Sequence, residues 1–210
     1  MDSFIFDNMK ILPEELAENG YQLTDQFEHT SIVAFIQPYL KATNPVMLFY
    51  WGFNIAILLS AAIIWISLPE GKEDALIKFG VGGALFALLI PVHEIIHGIG
   101  YKLAGAPKVS YKAHLRKLIF YAMADKFVIK ARPFILLAMA PFVLINSLLI
   151  TGIIDTLSPY TWIMMGALFM HTSGCAGDFA LMSYYYVNRR KTIVTYDDQA
   201  AQITYFFTKL

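Results

Sequence analysis

Residues 76–100 read LIKFGVGGALFALLIPVHEIIHGIG. A helix needs about 20 mostly apolar residues to cross a hydrocarbon core, and this stretch is long enough. It nevertheless holds two histidines and a glutamate within five positions, in the order His93-Glu94-Ile95-Ile96-His97. An ionised side chain near the centre of a bilayer costs about 2.5–3.5 kcal/mol. The cluster therefore needs a physical reason, and a bound cation supplies one.

The H-E-x-x-H spacing fits a zinc site. Residues four apart lie on one helical face, about 6 Å from each other along the axis, so the imidazoles of His93 and His97 can reach one ion. Glu94 flanks that ion without binding it. There it can accept a proton from zinc-bound water, whose pKa the metal lowers toward 7. The alternative is a pair of core histidines that hydrogen-bond within a helix bundle.

Catalytic zinc usually has three protein ligands and one open position. Asp178 is the predicted third ligand, because it lies as deep in a later apolar segment as His93 lies in its own. His171 is the competitor, but it is about 10 Å from Asp178 along a regular helix, so it is expected to hydrogen-bond within the bundle or contact substrate. Asn146 is a candidate for a hydrogen bond to substrate or, equally, between helices. Cys175 is predicted to pack as a small apolar residue.

The rest of the chain has the composition of a membrane protein: 57% of residues are apolar, 15% are charged and the mean hydropathy is +0.54. Soluble domains are about 45–50% apolar and about 25% charged. The predicted fold is an all-α integral membrane domain at residues 46–187, flanked by an N-terminal region at 1–45 and a tail at 188–210. Four transmembrane helices are predicted, at residues 46–68, 76–100, 133–153 and 161–187.

Basic residues predict the orientation. Eight of the sixteen lysines and arginines lie between the second and third spans, and three more directly follow the fourth. Basic loops remain cytoplasmic, so both termini are predicted to be cytoplasmic in the cell membrane. Short stretches of alternating apolar and polar residues at 107–131 predict a small β-hairpin insertion. A short helix is predicted at Pro13–Glu18, because Pro13 suits a first helical turn. His29 and His114 lie outside the spans and are predicted to be ordinary surface residues.

The motif His93-Glu94-Ile95-Ile96-His97-Gly98, followed by a basic loop, two further spans and Gly177-Asp178, resembles the putative zincin peptidases. These are small bacterial membrane proteins similar in plan to the site-two intramembrane proteases. The resemblance covers roughly residues 46–187. It implies Zn²⁺ on His93, His97 and Asp178, with Glu94 catalytic. The chain departs from the site-two pattern in two ways. No proline closely precedes Asp178, and Phe179 follows it where that pattern has glycine.

These observations predict a zinc metallopeptidase embedded in the bilayer, acting on peptide or transmembrane-protein substrates. An extended substrate could add to the strands predicted at 107–131. Two alternatives stay open: a non-proteolytic protein that binds metal or transports cations or protons, and a catalytically silent scaffold. The formal net charge of zero gives no argument for a nucleic-acid partner, and none is expected. The oligomeric state is not predicted.

Overall fold

The computed structural model describes residues 12–68, 70–114, 119–155 and 160–209. The start of the predicted N-terminal region, residues 1–11, and the loop residues Arg116 and Lys117 lie outside these ranges. Within them the chain forms six α-helices and six β-strands. The helices are α1 Ile32–Leu40, α2 Pro45–Ser67, α3 Lys72–Leu103, α4 Ala131–Asp155, α5 Thr161–Gly174 and α6 Ala176–Val187.

Three of these helices, α2, α3 and α4, are long and apolar enough to cross a membrane, with hydropathies of 2.0, 2.0 and 2.3 in their most apolar windows. Only 11% of the window in α3 is buried inside the protein. Leu88 and Ile99, for example, are 69% and 52% exposed. Such an apolar outer surface is stable against lipid and costly in water.

The predicted fourth span, residues 161–187, is two helices rather than one. Helix α5 ends at Gly174, and α6 begins at Ala176 after a break at Cys175, whose ψ is 6°. Small residues surround the break, at Gly174, Ala176 and Gly177, and glycine constrains the backbone least. Asp178 lies in the first turn of the second of these helices.

Helix α2 begins where the sequence places a cap. The Asn44 side chain accepts hydrogen bonds from the backbone N–H groups of Val46 and Met47, at 3.1 and 3.2 Å. Pro45 occupies the first helical turn, where its missing N–H costs nothing. The amide nitrogen of Asn44 also donates to Ser183 Oγ at 2.7 Å. One side chain therefore caps α2 and ties it to α6.

Helix α3 ends in a Schellman motif. Gly105 has φ +97°, the backbone N–H of Ala106 donates to the carbonyl of Tyr101, and that of Gly105 donates to the carbonyl of Lys102. Glycine suits this position because a side chain at positive φ is strained. The motif stops the helix 6 residues after His97, about 9 Å along the axis. The histidine pair thus lies near the α3 end that leads into the hairpin.

Close packing joins α3 to α5. A Cβ atom at Gly82 would overlap the backbone of Ile163, and one at Gly166 would overlap the backbone of Phe79. Farther along, Gly174 lies against the ring of Phe86. Residue numbers increase in the same direction along both helices at these contacts, so α5 runs parallel to α3. Without these glycines the two backbones could not approach so closely.

The predicted all-α class is incomplete, because the chain also forms β-strands, four of which make up a sheet. The strands are β1 Gln22–Glu28, β2 Ser110–His114, β3 Ile119–Met123, β4 Ile129–Lys130, β5 Thr192–Asp198 and β6 Ile203–Lys209. The hairpin predicted between the second and third spans is present as β2 and β3. The other four strands form an antiparallel sheet in the order β1-β6-β5-β4. Strand β1 was not predicted, and the helix expected at Pro13–Glu18 is a shorter 3₁₀ turn at Pro13–Glu15.

The sheet lies at one end of the helices. Strand β4 leads directly into α4, and β5 follows closely after α6. Phe35 of α1 stacks on Phe206 of β6, with ring centroids 5.4 Å apart, and Tyr184 of α6 donates to Asp25 Oδ2 at 2.8 Å. The hairpin approaches α3 from the same end, where the Tyr111 hydroxyl rests against Gly98. Sheet and hairpin together cover the region of the histidine pair.

Candidate metal centre

Three side chains converge where α3 meets α6. His93 Nε2 lies 3.0 Å from His97 Nε2 and 3.2 Å from Asp178 Oδ2, and His97 Nε2 lies 3.3 Å from Asp178 Oδ1. The histidines are one turn apart on α3, and Asp178 stands in the first turn of α6. The structure therefore brings together the three residues predicted to bind one ion.

The hydrogen bonds around His93 fix the roles of its two nitrogens. The Asn146 amide nitrogen donates to Thr172 Oγ1 at 3.0 Å, so its oxygen accepts from His171 Nδ1–H at 2.7 Å. His171 Nε2 is then an acceptor, and His93 Nδ1–H donates to it at 3.2 Å. This leaves the lone pair of His93 Nε2 directed at Asp178 and His97.

His97 has the same arrangement. Its Nδ1–H donates to the backbone carbonyl of Leu137 at 3.1 Å, which leaves the Nε2 lone pair directed at Asp178. A metal-binding histidine almost always donates its other ring N–H to such an acceptor. His171 and Asn146, the alternative ligand and the substrate candidate, both act here as hydrogen-bonding partners between helices. Cys175, fully buried, donates its thiol to the His171 carbonyl at 3.2 Å.

The donor set can be tested against Zn²⁺. With both Nδ1 protons in use, two imidazole lone pairs and two carboxylate oxygens face one another, and they repel unless positive charge lies between them. For bonds of about 2.0–2.2 Å, neighbouring ligands of tetrahedral zinc are roughly 3.3–3.6 Å apart. The observed 3.0–3.3 Å separations are close to that range. Two imidazoles and a carboxylate fit zinc in number and in kind.

Glu94 lies beside these three residues rather than among them. Its side chain is partly buried and lines the same cavity, near the backbone amide of Ala122 in β3. Its Oε2 atom is buried and has no hydrogen-bond partner among the described residues. A buried carboxylate oxygen without a partner is costly, so it is available to a ligand or a water molecule.

The cavity has a volume of about 300 Å³ and extends from the histidine pair to the edge of the sheet. Its walls are mostly apolar, with Phe120 of β3, Phe134 of α4 and Leu181 of α6 among them. Tyr121 also lines it, and burial together with the nearby Asp197 carboxylate raises the pKa of the phenol. Its hydroxyl thus remains a hydrogen-bond donor at neutral pH.

The prediction that His29 is an ordinary surface residue was wrong. Its side chain is 4% exposed, lines the cavity, and has no hydrogen-bond partner for either ring nitrogen within the described part of the chain. The nearest carboxylate oxygen, Asp197 Oδ1, lies 3.8 Å from Nε2. The cause is the pairing of β1 with β6, which carries residue 29 over the end of α3. Nothing local in the sequence signals that contact.

Tyr101 is a second residue that sequence reasoning missed. It is 6% exposed and lines the cavity one helical turn after His97. Here a signal was available, because positions 93, 97 and 101 repeat every four residues and so share one face of α3. His93, His97 and Tyr101 together form the floor of the cavity.

Comparison with known protein families yields a match that covers the candidate metal centre. The family described as "putative zincin peptidase" matches residues 86–193, just over half of the chain. The matched region contains the H-E-x-x-H motif, the hairpin, α4, α5 and α6, and it ends within β5. No curated protein and no solved structure gave a significant match.

Proposed function

Because the chain belongs to the putative zincin peptidase family, we propose that it is a membrane-embedded zinc metallopeptidase. The observation that carries this proposal is the convergence of the Nε2 atoms of His93 and His97 with the carboxylate of Asp178, beside a Glu94 oxygen that has no partner among the described residues. In this proposal the first three residues hold Zn²⁺ and Glu94 is the general base.

When bound, Zn²⁺ polarises the scissile carbonyl and lowers the pKa of water toward 7. Glu94 accepts the proton of the attacking water on a carboxylate oxygen and delivers it to the leaving amine. His171 and the Leu137 carbonyl keep the two ligand imidazoles in the tautomer that leaves Nε2 unprotonated. The apolar cavity walls exclude bulk water, which strengthens these charge interactions.

The membrane setting follows from the apolar outer surface of α2, α3 and α4. In the proposed orientation the sheet and hairpin face the cytoplasm, because the flanking loops carry most lysines and arginines. The histidine pair then lies roughly 9–15 Å from the cytoplasmic end of α3. This depth favours a substrate segment that is transmembrane or adjacent to the membrane, held in extended form beside β3.

Metal analysis of the purified full-length protein tests the ligand set. We expect about one zinc ion per chain in the wild type, and loss of that zinc in His93→Ala, His97→Ala and Asp178→Ala. Retention of zinc by Asp178→Ala would contradict the assignment of the third ligand. If no divalent metal binds the wild type, the whole proposal is wrong.

The role of Glu94 is tested separately with Glu94→Gln, which keeps the size of the side chain and removes its basicity. We expect normal zinc content and a loss of cleavage of about 10²–10⁴-fold. Cleavage is followed by mass spectrometry of synthetic transmembrane peptides in detergent micelles. A variant that loses its zinc would show that Glu94 supports the metal, and full activity would favour a scaffold or transport role.

A further inference from the structure

A second, larger cavity lies away from the candidate metal centre. Its volume is about 1130 Å³, and it opens where α2 and α4 begin and α6 ends. Three elements thus bring their ends, not their middles, to this cavity. In a membrane helix the ends lie at the level of the lipid headgroups.

The rim of this cavity is strongly basic. Four of its lining residues are cationic, and none is acidic: Lys130, Arg132, Arg189 and Lys191. Among the described residues, Arg132, Arg189 and Lys191 form no ion pair with a carboxylate. The N-terminus of α4 adds the positive end of a helix dipole at Arg132. Like charges gathered without counter-charges repel one another, so an anion would stabilise them.

Arg189 is already oriented for such an anion. Its guanidinium lies 4.3 Å from the centroid of the Tyr186 ring, and its Nη1 donates to the Tyr186 carbonyl at 3.0 Å. Stacking on an aromatic ring fixes the plane of a guanidinium while its other N–H groups remain available. Tyr186 itself lines the cavity. Less side-chain freedom is therefore lost when a ligand binds.

The inner wall has the opposite character. Apolar side chains of three helices line it: Val46 and Phe49 from α2, Ile135 and Met139 from α4, and Phe179 and Met182 from α6. Free phosphate or a soluble acidic peptide would use the cations and leave this wall uncovered. A phospholipid uses both, with its phosphate at the rim and an acyl chain along the wall.

We propose that this cavity binds an anionic phospholipid, with the headgroup held by Arg132, Arg189 and Lys191 and an acyl chain against the apolar wall. The site is independent of the metal centre and requires no catalytic activity. It would anchor the junction between the sheet and the helices at the membrane surface.

The test compares thermal unfolding of the full-length protein in detergent with added phosphatidylglycerol, phosphatidylcholine or glycerol phosphate. We expect saturable stabilisation by phosphatidylglycerol alone. Each cation near an anionic lipid surface contributes roughly fivefold to binding, so Arg132→Gln/Arg189→Gln/Lys191→Gln should weaken the apparent affinity on the order of 100-fold. The triple variant Lys108→Gln/Lys112→Gln/Arg190→Gln removes equal charge outside the cavity and should keep the affinity.

A second variant, Met139→Trp, narrows the apolar part of the cavity and leaves every charge in place. We expect it to lose the response to phosphatidylglycerol as well, while circular dichroism without lipid reports normal folding. Equal stabilisation by phosphatidylcholine, an equal loss in the control variant, or an equal response to glycerol phosphate would each overturn the proposal. The last result would indicate a phosphate site instead of a lipid site.

Discussion

The hydrogen bond between His93 and His171 gives the sharpest prediction. Replacing His171 with phenylalanine keeps a ring of similar size but removes the acceptor of the His93 Nδ1–H bond, now 3.2 Å long. His93 is 8% exposed and His171 fully buried, so water cannot replace that acceptor. The imidazole is then free to rotate or to change tautomer, and either change turns its lone pair away from Asp178.

Loss of such a supporting hydrogen bond typically lowers metal affinity 10–100-fold. For His171→Phe we therefore expect zinc binding to weaken by about 1.4–2.8 kcal/mol with an unchanged stoichiometry of one. The assay is competition for zinc between the purified protein and a chromophoric chelator. His171→Gln, whose side-chain oxygen can accept the same hydrogen bond, should recover part of the affinity.

The matched control is Asn54→Leu in α2. Asn54 is also buried and hydrogen-bonded, to the Tyr50 carbonyl and to Ser173, but it does not contact the candidate ligands. This variant should be less stable and bind zinc with normal affinity. Zinc binding by His171→Phe as tight as that of the wild type would show that this hydrogen bond does not support the metal site. If zinc is lost altogether at saturating concentration, His171 is a ligand and the hydrogen-bond assignment is wrong.

Three further substitutions test the packing and the cavity. Gly82→Ala should lower the free energy of unfolding by about 1–3 kcal/mol in denaturant titrations, because a Cβ there overlaps the Ile163 backbone. The control is Gly80→Ala, where an added Cβ meets nothing within 4 Å, and it should be neutral or stabilising. Since His29 lines the cavity with both ring nitrogens unpartnered among the described residues, we expect it to hydrogen-bond to substrate. His29→Phe should then lower kcat/KM on the order of tenfold and leave stability and zinc content unchanged, and a drop in stability would contradict this role. Asn44→Ala removes the α2 cap and should cost about 1 kcal/mol in thermal unfolding, while an unchanged Tm would show that the cap is dispensable.

Local sequence patterns predicted the features that depend only on residues close together in the chain. The run of apolar residues around His93 must be helical in a bilayer, because a helix satisfies its own backbone hydrogen bonds. The i, i+4 spacing of the two histidines then places both on one face. The depth of Asp178 in its apolar segment, similar to that of His93, pointed to the third ligand, and β-type alternation pointed to the hairpin.

Long-range contacts explain what could not be predicted. Strand β1 pairs with β6, which lies some 180 positions later in the chain, so neither the strand nor the burial of His29 beside Asp197 had a signal in nearby residues. The choice of His93 as the partner of His171 depends on how closely Gly82 and Gly166 let α3 approach α5. The spacing at which apolar side chains recur specifies which face of a helix or strand is apolar. The element that covers that face is selected by packing and by the hydrogen bonds that become available once distant segments meet.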